Sequence, residues 1–167
     1  VTGVQTCALP ISLPITLMIN LIGLLIIFAL SIFLGVVSAV NQNQWPDRLI
    51  TLIVFIGFAV PGFWLALLLM YWTGVTHSWL PISGLHSAGF EKMSHIAQYV
   101  DLFKHLILPV SISSLGGLAS ISLYVRNGML DVLQQDFITT ARAKGLPEKK
   151  VIYGHALRNT LLPLITI

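Results

Sequence analysis

The chain has 167 residues, 56% of them hydrophobic and only 9% charged, where a soluble domain is typically nearer 25% charged. No charge stands before Asp47, between Arg48 and Glu91, or between Lys104 and Arg126, a pattern that excludes a soluble enzyme, a disordered tail and a disulfide-stapled secreted domain. The net charge of +3 is concentrated, six of the nine Lys and Arg lying within residues 126–158, and in so apolar a chain such a cluster reads as a topology signal and a docking surface rather than a nucleic-acid site.

The sequence begins at Val1 and stops at Ile167 inside a new apolar run, so it reads as a piece of a longer protein. Residues 1–11 resemble a translated sequencing adapter and are set aside, together with Cys7, the single cysteine. The remainder then supports no disulfide, Cys metal site or Cys nucleophile. A signal peptide is excluded because a basic n-region is missing and the apolar stretch is too long for an h-region.

A helix that crosses the hydrocarbon core needs about 20 mostly apolar residues. Residues 17–40, 49–73 and 106–125 qualify, and a fourth run, 160–167, is cut short. The expected fold is therefore an all-α, polytopic transmembrane bundle with three full spans and the start of a fourth. The basic cluster between the third and fourth spans places the loop 126–159 in the cytoplasm. Alternation puts the turn 41–48 on the same side and residues 74–105 outside.

Within the first span Asn20, Gly23, Ile27, Ser31, Gly35 and Ser38 recur at steps of three and four, one stripe of mostly small or polar residues that should meet other helices rather than lipid. The second span carries Gly57 and then Pro61 and Gly62, where a kink is expected that serves either packing or a hinge. Outside, Phe90, Met93, Ile96, Ala97, Val100 and Phe103 have helical spacing beside charged neighbours, which predicts an amphipathic helix on the membrane surface. The third span repeats the small-residue device with Ser113, Gly116, Gly117 and Ser120. Such stripes serve helix packing or line a path, and Asn20, Ser31 and Ser113 are the path candidates because they are the least expected against lipid.

From Arg126 to Pro163 the composition turns mixed polar and reads as helix, turn, helix. Residues 129–144 lack Gly and Pro, Gly145 suits the C′ position that ends a helix, and Pro147 suits N1 of the next. Val151, Ile152, His155 and Leu157 offer a partly apolar face ringed by Lys149, Lys150 and Arg158. Two short helices bury little surface by themselves, so this face calls for a partner protein.

The stretch Asp136-Phe-Ile-Thr-Thr-Ala-Arg-Ala-Lys-Gly-Leu-Pro-Glu-Lys-Lys-Val-Ile-Tyr-Gly-His-Ala-Leu-Arg-Asn-Thr-Leu-Leu-Pro163 resembles the cytoplasmic loop of permease subunits of ABC importers, in the dipeptide, oligopeptide and nickel branch. Leu106-Ile-Leu-Pro109 and Val60-Pro-Gly-Phe-Trp-Leu65 extend the resemblance over most of the chain after Leu13. The general loop motif begins Glu-Ala-Ala and has Gly four residues after the second Ala. Here Thr139 and Thr140 replace the first two residues, while Ala141 and Gly145 match. Of the later Ile-x-Leu-Pro only Leu157 is kept, in His155-Ala-Leu-Arg158. These departures resemble the peptide branch. The resemblance implies coupling helices that seat in a groove of a cytoplasmic ATPase, with Thr140, Ala141, Ala143, Gly145, Leu146, Pro147, His155 and Leu157 as the coupling residues. It further implies a second permease subunit, two cytoplasmic ATPase subunits, an extracytoplasmic substrate-binding protein, and a multi-pass location in a bacterial or archaeal cytoplasmic membrane. The solute would be a peptide or a related small solute, nickel among them.

No Gly-rich phosphate loop ending in Gly-Lys-Ser/Thr occurs, so the expected subunit carries no ATPase site of its own. His77, His86, His95 and His105 offer no i, i+4 pair, and neither a metal nor a cofactor is expected. The competing reading is a polytopic intramembrane enzyme or another non-ABC membrane protein, which would turn over without any ATPase partner.

Overall fold

A computed structural model describes the backbone of residues 2–164 and the side chains of residues 13–164. The adapter-like residues 1–11 and the last residues of the fourth span, 165–167, thus lie outside the fully described residues. The chain forms helices α1 (Thr2–Val40), α2 (Trp45–Ala59), α3 (Gly62–Leu69), α4 (His95–Leu133), α5 (Asp136–Ala143) and α6 (Leu157–Leu164). Two π-helical segments adjoin them: Met70–Thr76 continues α3, and Lys150–Ala156 leads into α6. Two compact units result, Val1–Ile26 with Val60–Gly116, and Ile27–Ala59 with Gly117–Ile167. Within α1, Leu13–Val40 is long and apolar enough to cross a membrane, as is α4, while α2 and α3 reach that length only if counted together.

The second span is broken rather than kinked. Pro61 has no N–H to continue the α2 ladder, and at φ −59° and ψ 129° it extends the backbone before α3. The helix restarts on its carbonyl, which accepts from Trp64 N at 3.0 Å and Leu65 N at 3.1 Å. The expected separate amphipathic helix is also corrected. Phe90–Lys92 is a single 3-10 turn after the left-handed Gly89, Met93 is extended, and the next helix is α4 itself. Ser94 opens α4, its carbonyl accepting from Gln98 N at 3.0 Å. Ile96, Val100 and Phe103 therefore lie on the first turns of a helix that runs on through the third span.

In the unit built on Val1–Ile26 and Val60–Gly116, Gly23 lets α1 approach α4 closely, since a Cβ there would stand 3.2 Å from Ser113 Oγ. Ser114 Oγ donates to the Val110 carbonyl at 2.7 Å and reaches the Gly23 carbonyl at 3.5 Å. His105 is buried, with Nδ1 2.8 Å from the Asp101 carbonyl. Beyond α3, the rings of Trp72, His77 and Trp79 gather with centroids 4.6 to 5.7 Å apart.

The other unit repeats the small-residue contact. A Cβ on Gly117 would stand 2.9 Å from Ile27 Cδ1, and one on Gly35 would stand 2.7 Å from Val125 Cβ and 2.9 Å from the Ser122 carbonyl. Ser31 is fully enclosed and donates to the Leu118 carbonyl at 3.0 Å. The stripe on α1 is a packing seam at these positions, as small residues between membrane helices commonly are. Gly35→Val is accordingly expected to destabilise by about 1–3 kcal/mol, since overpacking here meets backbone as well as side chain. A thermal melt of the full-length permease in detergent would record it as a lower midpoint, with Gly57→Ala, in open space, as the unaffected control.

The helix of the third span does not stop at Val125. It continues to Leu133, so residues 126–133 belong to α4 and not to a loop. The expected single helix 129–144 is interrupted at Gln135, whose extended backbone (ψ 151°) redirects the chain and whose carbonyl accepts from Ile138 N at 3.0 Å. The turn lets α5 fold back so that Ile138 and Ala141 join a core with Met129, Val132, Val151, Ile152 and Ala156, closed by Val36 and Ala39 of α1.

Candidate functional site

The polar segment after α4 is held in place by that core. Ile138 and Ala141, three apart on α5, point inward, which leaves Phe137 and Thr140 on the outer face. Asp136 stands in the first turn and Arg142 in the last, each favourable to the helix dipole. Gly145 ends α5 in the left-handed region at φ +76°. Its N–H donates to the Arg142 carbonyl at 2.9 Å, and Leu146 N reaches the Ala141 carbonyl at 3.4 Å. This pair of bonds is a Schellman closure, and the accompanying apolar contact comes from Leu146, which packs against the core that holds Ala141. Pro147 lies one place before N1, its carbonyl accepting from Lys150 N at 2.8 Å and Val151 N at 3.2 Å.

Arg142 donates to Glu148 from Nη2 at 2.7 Å and from Nε at 3.3 Å. The pair straddles the turn and is solvent-exposed. Hydrogen bonding from the guanidinium holds the Glu148 carboxyl below its usual range, and the same bonds raise Arg142.

Between α5 and the following helix lies an open groove of about 340 Å³ lined by Phe137, Thr140, Ala141, Lys144, Leu146 and His155. Four of the eight residues singled out in the sequence thus share one surface. Phe137 and Lys144 join them unforeseen. The available signal was Phe137 four residues before Ala141, a large apolar side chain on an otherwise polar face. Gly145 and Pro147 are exposed at the turn beside the groove, and Ala143 is exposed. Leu157 packs against the core and does not line the groove.

The other candidates are dispersed. Asn20 is exposed and donates to the Thr16 carbonyl at 2.8 Å; Ser113 is exposed and donates to the Val110 carbonyl at 3.0 Å. Ser31 is sealed between α1 and α4 and offers no surface to a path. Pro61 and Gly62 stand exposed at the helix break, with open space around Gly62.

Sequence reasoning missed a buried polar network. Asp47, 4% exposed, accepts from Arg126 Nε at 2.8 Å and Nη2 at 2.9 Å, from Ser38 Oγ at 2.5 Å and from Asn43 N at 2.8 Å. Arg126 Nε also reaches Ser38 Oγ at 3.0 Å. The signal was present: Asp47 is the only acid before Glu91 and Arg126 the first charge after Lys104, and the expected topology puts both on the same side.

The family described as binding-protein-dependent transport system inner membrane component matches residues 31–167. Among curated proteins, the chain is 41% identical to the oligopeptide transport system permease protein AppB of Bacillus subtilis over 155 residues, 93% of the chain and 48% of the relative. It is 36% identical to the peptidoglycan transport system permease protein YejB of Agrobacterium fabrum, covering 92% of the chain and 43% of the relative. To the inner membrane ABC transporter permease protein YejB of Escherichia coli O157:H7 it is 35% identical, again over 92% of the chain and 43% of the relative. The chain spans about half the length of these curated relatives.

Proposed function

Because the chain belongs to the family of binding-protein-dependent transport system inner membrane components, we propose that it is part of the permease of an ABC importer that moves peptides or a related small solute, with its ATP hydrolysed by separate cytoplasmic subunits. The relatives named for oligopeptide and peptidoglycan transport favour a peptide-class solute over nickel. The observation that carries the coupling role is the groove on α5. It is concave, part apolar and part basic, and it rests on a packed core rather than on a flexible loop. A partner helix or loop seated there can push on α4 and α1 through Met129, Val36 and Ala39.

In this reading two copies of an ATPase subunit engage the groove regions of two permease subunits, and closure of the ATPase pair on ATP moves the membrane helices. A loaded binding protein docks on the outer side and delivers the solute. Asn20 and Ser113 are the exposed polar candidates for the path, and the break at Pro61 and Gly62 is the candidate hinge. The Lys and Arg distribution supports a cytoplasmic side for the turn 41–48 and the groove.

The test is to place an obstacle in the groove without disturbing the core. Thr140 is exposed on α5, and arginine is a good helix former. Thr140→Arg in the full-length permease is expected to leave its membrane level unchanged and to cut recovery of the ATPase subunit by about tenfold, a loss of 1.4 kcal/mol of contact. ATP-driven uptake by proteoliposomes should fall with it. Normal recovery and normal uptake would remove the groove from the coupling role.

A further inference from the structure

We propose that Asp47 and Arg126 are a positioning pair that makes α2 follow the coupling segment during transport, an assignment that rests on the coupling reading above. The starting point is how little else holds α2 to its unit. Of its 15 residues only Asp47 and Val54 are buried, while Leu52, Ile53, Phe55, Ile56 and Phe58 are each more than half exposed. Apolar contact alone gives α2 a weak grip, and one that can slide, because dispersion and burial have no preferred direction.

The ion pair supplies the direction. Arg126 approaches both carboxylate oxygens, Nε to Oδ1 at 2.8 Å and Nη2 to Oδ2 at 2.9 Å. A two-pronged guanidinium–carboxylate contact fixes orientation as well as distance. On the Asp47 side, Ser38 Oγ and Asn43 N hold the carboxylate, and Thr51 Oγ1 adds a longer contact at 3.4 Å. On the other side, Arg126 sits on α4 three residues before Met129, which is fully buried in the core that carries Ile138 and Val151. Ser38 is next to Ala39 of the same core. A push on α5 therefore reaches Arg126 through Met129 and reaches α2 through Asp47. Lysine at position 126 would keep the charge and lose the fork.

The experiment uses the full-length permease with its partner subunits in proteoliposomes, comparing wild type with Arg126→Gln, Arg126→Lys and Asp47→Asn. Asn at 47 keeps one acceptor oxygen, enough for Ser38 or for Asn43 but not both, whereas Arg126→Lys leaves the bonds from Ser38 and Asn43 to Asp47 in place and is the variant that retains the local fold. The expected result is near-normal recovery of ATPase subunits and near-normal ATP hydrolysis, with solute moved per ATP lowered by about tenfold in Arg126→Gln, inside the usual range for coupling between sites. Arg126→Lys should fall between the two. Nitroxides at Leu52→Cys on α2 and Lys149→Cys beyond the Gly145 turn should keep one distance with and without ATP in wild type. In Arg126→Gln that distance should become nucleotide-dependent. Hydrolysis and uptake that fall together, in step with the amount of complex, would overturn the inference and leave the pair a merely structural contact. So would a label distance that stays independent of nucleotide in Arg126→Gln. A wild-type permease that recovers no ATPase subunit would overturn the inference and the coupling reading together.

Discussion

A full-length permease carrying Gly145→Val is expected to reach the membrane in near-normal amount and to lose both ATPase subunit and ATP-driven uptake. Gly145 closes α5 at φ +76°, where a residue with a side chain pays about 1–2 kcal/mol and a β-branched one is a genuine outlier. Beyond the two neighbouring residues nothing lies within 4 Å of a Cβ added at Gly145, so the main cost is conformational. To relieve it the chain must leave the left-handed region, which breaks the bonds from Gly145 to Arg142 and from Leu146 to Ala141. Leu146 and Pro147 then move away from the groove they border. Loss of contact by an additional 1.4 kcal/mol corresponds to about a tenfold drop in ATPase recovery. Gly145→Asn is the discriminating control, because asparagine tolerates the left-handed region, and it should behave nearly as wild type. Normal ATPase recovery and uptake in Gly145→Val would mean that the turn is not part of the coupling element.

Met129→Ala is expected to have the larger effect on stability. Met129 is fully buried, lies beyond the apolar third span, and packs where α4 meets α5 and the Lys150–Ala156 segment. Truncating such a side chain costs about 2–5 kcal/mol through lost burial and the cavity left behind. The melting midpoint of the detergent-solubilised permease should fall, and limited trypsin digestion should cut sooner at Arg142 and Lys144. Uptake should then decline in proportion to the intact protein. That proportionality separates this variant from Gly145→Val, where abundance and uptake part company. An unchanged midpoint and digestion pattern would show that α5 does not depend on this core.

The long features were legible because they depend on composition alone. Charge-free windows coincide with the long apolar helices α1 and α4, and the basic cluster with the polar segment that follows. Gly145 was legible because a helix C-terminus is a local event that needs a left-handed residue. Other features were hidden for identifiable reasons. The polarity of residues 126–133 assigns them to the cytoplasmic loop 126–159, yet a helix need not end where it leaves the apolar layer, and α4 runs on to Leu133. Ser31 looked polar enough to line a path, but a single hydroxyl is readily satisfied by a neighbouring helix carbonyl, here that of Leu118. The Asp47–Arg126 contact joins residues 79 positions apart, and no local pattern encodes a pairing at that separation. Phe137 was passed over because one exposed aromatic carries little signal until the groove around it is seen.

The interruption at Pro61 also constrains the surroundings of the chain. A continuous helix satisfies its own main-chain polar groups, but Pro61 has no hydrogen to give the carbonyl of Gly57, and α3 begins without a side-chain cap. In acyl chains each such orphan costs several kcal/mol, so non-helical backbone at membrane depth is found only against protein or a water-filled space. Interrupted main chain such as that at Pro61 is therefore expected to stand against water or another polypeptide segment rather than against acyl chains.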